Sequence, residues 1–156
     1  MNIRPATEAD WPAIYPIFTA IVEAGSTYAY PEGLSSEQAH DLWMEQPPGI
    51  TVVALEGDDI IGTAKSGPNR PGRGAHVATA SFMVAPDRRV RGVGRALGAW
   101  IIDWATREGF RSMQFNAVVE TNAPAVHMWQ SLGFTVIGTV PEAFDHRDDG
   151  LVGLHI

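Results

Sequence analysis

Ser81-Phe-Met-Val-Ala-Pro-Asp-Arg-Arg-Val-Arg-Gly-Val-Gly-Arg-Ala-Leu-Gly98 joins a strand to a helix through a turn rich in glycine and arginine. It passes from an apolar run to a proline, then to a basic turn, then to a helical pattern. Pro86 cannot donate to a strand ladder, so pairing should stop near it. A helix start exposes N–H groups that have no intrahelical partner, and about half a positive charge. Gly92 and Gly94 would let phosphate oxygens approach that backbone closely, and the arginines would add charge-assisted bonds to the same oxygens. That is the design of a pyrophosphate site. Two other readings stand beside it. One is a plain glycine-containing strand-to-helix turn. The other is a dinucleotide fold, with Gly92, Gly94 and Gly98 as G-x-G-x-x-x-G and Glu120 as the ribose carboxylate. Against the dinucleotide fold, only about 60 residues follow Gly94, too few for the parallel strands it needs. No Gly-Lys-Ser/Thr sequence occurs, so a Walker A loop is excluded.

Charge is unevenly placed around this segment. Residues 1–64 hold ten acids and one base, whereas residues 65–156 hold eight acids and ten bases. Four of the ten arginines, Arg88, Arg89, Arg91 and Arg95, fall within eight residues. A focused cationic spot on a chain of net charge −7 suits a small polyanion better than a nucleic acid. A solvated arginine run is the alternative.

Outward from the turn, the periodicities define a mixed α/β order. Asn2–Ala6 reads as a strand, and Thr7 with Asp10 as a capping box opening a helix to about Glu23. Its Ile14, Ile17, Phe18, Ile21 and Val22 share one helical face. Ala24–Leu34 is a loop, and Ser35 with Gln38 caps a second helix to about Glu45. Ile50–Leu55 and Ile60–Ser66 form a hairpin, and His76–Val84 is the next strand. A helix is expected from about Val90 to Glu108, stopped by Gly109. Ser112–Val119 is read as one strand, Asn122–Leu132 as a helix, and Phe134–Val140 and Leu151–Ile156 as the last strands. There is no repeat, linker or low-complexity tract.

The 156 residues fit one domain with one core, so 1–156 is expected to be a single unit. Absence of cysteine removes disulfides, thiolate nucleophiles and Cys-ligated metal sites. The five histidines show no metal-ligand spacing, so no metal is expected. No apolar run approaches the ~20 residues needed to span a bilayer. Met1–Thr7 lacks a signal peptide's apolar stretch, so a cytoplasmic protein without membrane or nucleic-acid partners is expected.

Arg89-Val-Arg-Gly92-Val-Gly94 resembles the Arg/Gln-x-x-Gly-x-Gly/Ala signature of the GNAT superfamily of acetyl-CoA-dependent N-acetyltransferases. A second match follows: Asn122-Ala-Pro-Ala125-Val126-His-Met128-Trp129-Gln-Ser-Leu132-Gly133-Phe134 is similar to that family's Asn-x-x-Ala-x-x-Leu/Phe-Tyr-x-x-x-Gly-Phe helix. The element order agrees over essentially the whole chain, and the branch most resembled acetylates phosphinothricin and similar amino acids. The resemblance implies a single-domain GNAT fold: a mixed sheet of about seven strands, helices on both faces, and a splay between the fourth and fifth strands. It implies transfer of acetyl from acetyl-CoA to a small-molecule amine by direct attack, and a homodimer. Two other functions are weighed beside it, a nicotinamide-dependent oxidoreductase and a GNAT-fold module that senses acyl-CoA without turnover.

By the same resemblance, Phe82, Met83 and Val84 would bind pantetheine through their backbone. Arg89, Val90, Arg91, Gly92, Val93, Gly94 and Arg95 would hold the pyrophosphate, and Asn122 would contact the pantetheine arm. Trp129 stands where many members carry a Tyr acid, and indole has no transferable proton near neutral pH. Thr79 stands where the branch carries a Glu. Glu120 is then the candidate base, its alternative being an acid placed favourably at a helix start. Glu23, Tyr28, Tyr30, Asn116 and Phe144 are candidates for the acceptor pocket, Asn116 also reading as a satisfied buried amide. His76 is a further base candidate, and the acidic N-terminal part would favour a cationic amine.

Overall fold

A buried carboxylate sets the entry into the first helix. In the computed structural model, which describes residues 1–87 and 90–156, β1 (Asn2–Pro5) leads through a 3₁₀ turn at Glu8–Asp10 into α1 (Trp11–Glu23). Asp10 accepts both Arg4 guanidinium nitrogens, at 2.7 and 2.8 Å, and the Thr7 N–H at 2.7 Å. The bidentate Arg4 bonds lead in holding its carboxyl well below the usual carboxylate range, with the Thr7 N–H helping against the cost of burial. The expected Ser35–Gln38 capping box also forms, at the start of α2 (Ser36–Trp43).

Next comes a meander, β2 (Ile50–Glu56), β3 (Asp59–Pro68) and β4 (Val77–Val84), followed by α3 (Val93–Arg107). β1 to β4 pair antiparallel in chain order, and β4 then pairs parallel with β5 (Ser112–Met113), making a mixed sheet. The apolar run in β2 is buried on both faces. Val53 packs with α1 and α2, through Ile14, Phe18 and Trp43, while its neighbours Val52 and Ala54 pack with Leu97 and Ile101 of α3. Successive strand residues point to opposite faces, so one uninterrupted apolar strand carries helices on both.

α3 begins at Val93 rather than Val90, because Gly92 at φ +83° takes the left-handed conformation immediately before the helix. The expected single strand Ser112–Val119 is two, β5 and β6 (Val118–Val119), which belong to different sheets. Phe134–Val140 is not a strand: after α4 (Ala123–Ser131) the Phe134 ring folds back onto Phe115 and Trp129, and β7 runs from Thr139 to His146. Phe144, expected at the acceptor pocket, therefore sits within strand β7. β7 bulges between Val140 and Phe144, with Glu142 at φ +51°, and pairs with β8 (Gly150–His155). The second sheet has the order β6-β8-β7, giving eight strands among the described residues.

Asp10→Asn is expected to lower unfolding free energy at pH 7 by about 1.5–3 kcal/mol, the usual worth of bonds to a charged group. The folded-state pKa of Asp10 lies below its unfolded value, so this stability is present above about pH 4 and is lost as pH falls. Urea unfolding at pH 7 and pH 3 checks it: the gap between variant and wild type should narrow at the lower pH.

Candidate active site

β4 and β5 are joined at only two residue pairs, Val77 with Ser112 and Ala78 with Met113. Beyond them the strands part. On its other side β4 stays laddered to β3 as far as Val84, with Ser81 opposite Lys65 and Met83 opposite Thr63. Backbone groups alternate across a strand, so Ala80, Phe82 and Val84 turn their N–H and C=O toward the gap. An aromatic wedge holds the gap open. Trp129 of α4 lies 4.7 Å from Phe82 and 4.6 Å from Phe115, centroid to centroid, and Phe115 stacks on Phe134 at 4.5 Å. Gly98 makes room for the wedge, since a Cβ there would lie 2.9 Å from Trp129 Cζ3.

The gap is a cleft of about 470 Å³. One wall is the open edge of β4, the facing wall is the stretch from Phe115 to Val119, and the end near α3 is lined by Gly94, Met128 and Asn122. A Cβ on Gly94 would stand 3.3 Å from Met128 Sδ and 3.8 Å from Val84 Cγ2, so glycine keeps this end clear. Asn122 Oδ1 accepts from Ala125 N–H and caps α4. At the far end Asn116 donates to Asn69 Oδ1 at 2.6 Å, just past the end of β3, and accepts from Gln114 at 3.0 Å, while its Nδ2 lies 3.4 Å from Thr79 Oγ1 of β4. Tyr28 and Tyr30, from the loop after α1, stack at 5.6 Å over the middle.

Of the residues singled out in the sequence, Tyr28, Tyr30, Phe82, Met83, Val84, Gly94, Asn116, Asn122 and Phe144 line this one cleft. Gly92 and Arg91 are exposed at the start of α3, whereas the Val93 side chain is buried under the sheet and Val90 packs against the same core. The Arg95 guanidinium donates to Ser131 of α4. Arg88 and Arg89 lie outside the described residues.

Two carboxylates are not brought to the cleft. Glu120 Oε1 accepts the Gly153 N–H, and a Cβ on Gly153 would fall 2.8 Å from Glu120 Oε2, so this side chain clasps the end of β6 to β8. Glu23 is exposed beside the groove between α1 and the following loop. His76 is exposed ahead of β4. Among the described residues, the polar side chains on the cleft are hydroxyls and amides, those of Thr27, Tyr28, Tyr30, Thr79, Ser81, Asn116 and Asn122. Ser81, Ala125 and Met128 also line the cleft, the last two as part of the helix signature quoted above. Ala125 and Met128 recur at i+3 and i+6 from Asn122, on the helical face that also carries Trp129, a spacing readable in the sequence.

A parallel strand pair that opens into a cleft, flanked by a glycine-started helix, defines an acyl-transfer fold of the GNAT type. The chain matches the family model for the acetyltransferase (GNAT) family over residues 11–134 and belongs to that family. A GCN5-related N-acetyltransferase from Kribbella flavida is 62% identical with a TM-score of 0.95, covering 99% of this chain and 94% of the other. The L-amino acid N-acyltransferase MnaT of Escherichia coli is 30% identical over 151 residues, 91% of this chain and 84% of that protein. The N-acetyltransferase aca1 of Schizosaccharomyces pombe is 28% identical over 137 residues, 78% of this chain but only 66% of the yeast protein. The dinucleotide alternative fails on topology, because β1 to β4 are antiparallel, and on Gly98, whose place is taken up by Trp129 packing.

Glu120→Gln is expected to leave kcat/KM within about threefold of wild type, well short of the ~10²-fold or greater loss of a positioned base. Gln keeps an oxygen that can accept the Gly153 N–H, so only the charge assistance is lost and unfolding free energy should fall by no more than about 1 kcal/mol. Steady-state rates together with urea unfolding check both parts.

Proposed function

We propose that this protein transfers an acetyl group from acetyl-CoA to the primary amine of a small, amino acid-like molecule. The observation that carries the reading is the open edge of β4, which runs along the cleft toward the N-terminus of α3. An extended arm with amides can pair with such an edge as an added strand would. Phe82 and Val84 supply the N–H and C=O groups for it, and Asn122 supplies a side-chain amide at the bend. The first-turn N–H groups of α3, Val93 to Arg95, have no intrahelical partners by helix geometry and suit a pyrophosphate. Gly94 keeps that approach free of a side chain, and Arg91 adds positive charge.

When bound, acetyl-CoA supplies the thioester that the amine attacks, the N–C bond forming as the C–S bond breaks. A β4 N–H aimed at the acyl oxygen stabilises the charge that develops there, a contribution of ~3–4 kcal/mol per donor in well-built sites. Trp129 walls the cleft and packs, and has no proton to transfer. With hydroxyls and amides on the walls, proton removal from the amine falls to water or to the acceptor's own ionisation, so kcat/KM should follow the acceptor's pKa. The acceptor enters at the end formed by Tyr30, Asn116 and Phe144, where an amide and aromatic faces suit an amino acid's polar and apolar parts. The name of the Escherichia coli relative supports that class of acceptor.

Release of free CoA thiol across a panel of amino acids and their amides tests the activity and separates an enzyme from an acyl-CoA sensor, which would bind acetyl-CoA and release none. Gly94→Glu should weaken acetyl-CoA at least about tenfold while far-UV circular dichroism stays that of wild type. The new carboxylate presses on Met128 and repels the phosphates.

A further inference from the structure

The Tyr28 hydroxyl occupies the β4 edge in the free protein. It accepts the Phe82 N–H at 2.8 Å and donates to the Phe82 C=O at 2.8 Å. One oxygen thus satisfies both backbone groups of a residue whose β3 side is closed and whose other side faces the cleft. Its position is that of a carbonyl oxygen accepting from Phe82, and at the same time that of an amide nitrogen donating to Phe82. Both kinds of group occur in the acyl-pantetheine arm.

The ring is held for this task. It stacks on Tyr30 with an interplanar angle of 4° and meets the Trp43 face edge-on at 6.2 Å. Burial pushes the phenol's pKa upward, and the Tyr30 phenol adds to the rise. The Phe82 backbone bond and the neighbouring Ser81 hydroxyl act in the opposite direction. The hydroxyl therefore keeps its proton through the neutral range and can donate and accept together. The loop that carries Tyr28 is pinned near both ends by Arg147, which donates to Glu23 O and to Glu32, while its own N–H donates to Gly25 O. Movement of Tyr28 is thereby confined to the segment between those anchors.

We infer that Tyr28 sets the affinity for acetyl-CoA by standing in for it: its hydroxyl holds the Phe82 N–H and C=O until the acyl-pantetheine arm takes them over. This rests on the acetyl-CoA reading of the cleft given above. Whatever stabilises the Tyr28–Phe82 contact in the free protein is subtracted from coenzyme binding, because only the fraction with a free edge is competent.

Calorimetric titration of acetyl-CoA into wild type and Tyr28→Phe is the test, with a crystal structure of the wild-type complex as the second measurement. Phe keeps the stacking on Tyr30 and the contact with Trp43 and removes only the competing hydroxyl. The variant should bind acetyl-CoA about fivefold tighter, within what two neutral hydrogen bonds contribute. In the complex Tyr28 Oη should lie beyond 4 Å from Phe82 N and O, both taken by the ligand. Equal or weaker binding by the variant, or a complex in which Tyr28 keeps both bonds, overturns the inference and leaves the acetyl-CoA reading standing. Failure of wild type to bind acetyl-CoA at all overturns both.

Discussion

β4 parts from β5 after Ala78 and Met113, and the packing around the cleft is built to hold that opening. A strand in the interior of a sheet that loses its neighbour leaves N–H and C=O groups facing inward, and these are costly unless something pairs with them. The chain keeps the strands apart with Trp129, Phe115 and Phe134, and with a glycine at position 98 that lets α4 close on α3. The wedge is apolar where it packs, while the edge beside it is polar backbone. A molecule that is extended and rich in amides satisfies such an edge, and until it arrives a tyrosine hydroxyl does. Fold and function thus meet in one hydrogen-bonding requirement.

Electrostatics follow the same division of labour. The acids of the first 64 residues do not gather at the cleft. Asp10 serves Arg4, Glu45 serves Lys65, Glu32 serves Arg147 and Glu8 lies against His40. These pairs fasten loops and helix starts, and Glu23 stays exposed beside the groove along α1. The N-terminus of α3, whose Gly94 lines the cleft, and the exposed Arg91 just before it carry the positive potential that would draw a polyanion.

Local chemistry made much of this legible in the sequence. Capping boxes at Thr7 and Ser35, the left-handed stop at Gly109 and the strand-to-helix turn at Gly92 each depend on a few neighbouring residues, and each formed. The resemblance to GNAT signatures carried the cleft residues from Phe82 to Asn122. What escaped was decided by distant partners. Gln114–Ala117 leave the strand because Phe115 joins a wedge built from α4, and Phe134 is spent on the same wedge instead of on a strand. Glu120 directly follows the cleft residue Val119 and stands two residues before Asn122, yet its carboxylate is turned to Gly153, far along the chain, and no sequence spacing announces that contact. The Tyr28–Phe82 bond spans 54 positions and was equally hidden.

If acetyl-CoA is held by the open edge of β4 and the start of α3, amides there gain protection when it binds, and hydrogen exchange followed residue by residue with and without saturating acetyl-CoA measures that gain. Exchange should slow at Val84 and at Gly94, which face the cleft and the helix start, with little change at Ser81 and Met83, already laddered to β3. Unchanged exchange at Val84 and Gly94 under saturating acetyl-CoA would contradict it.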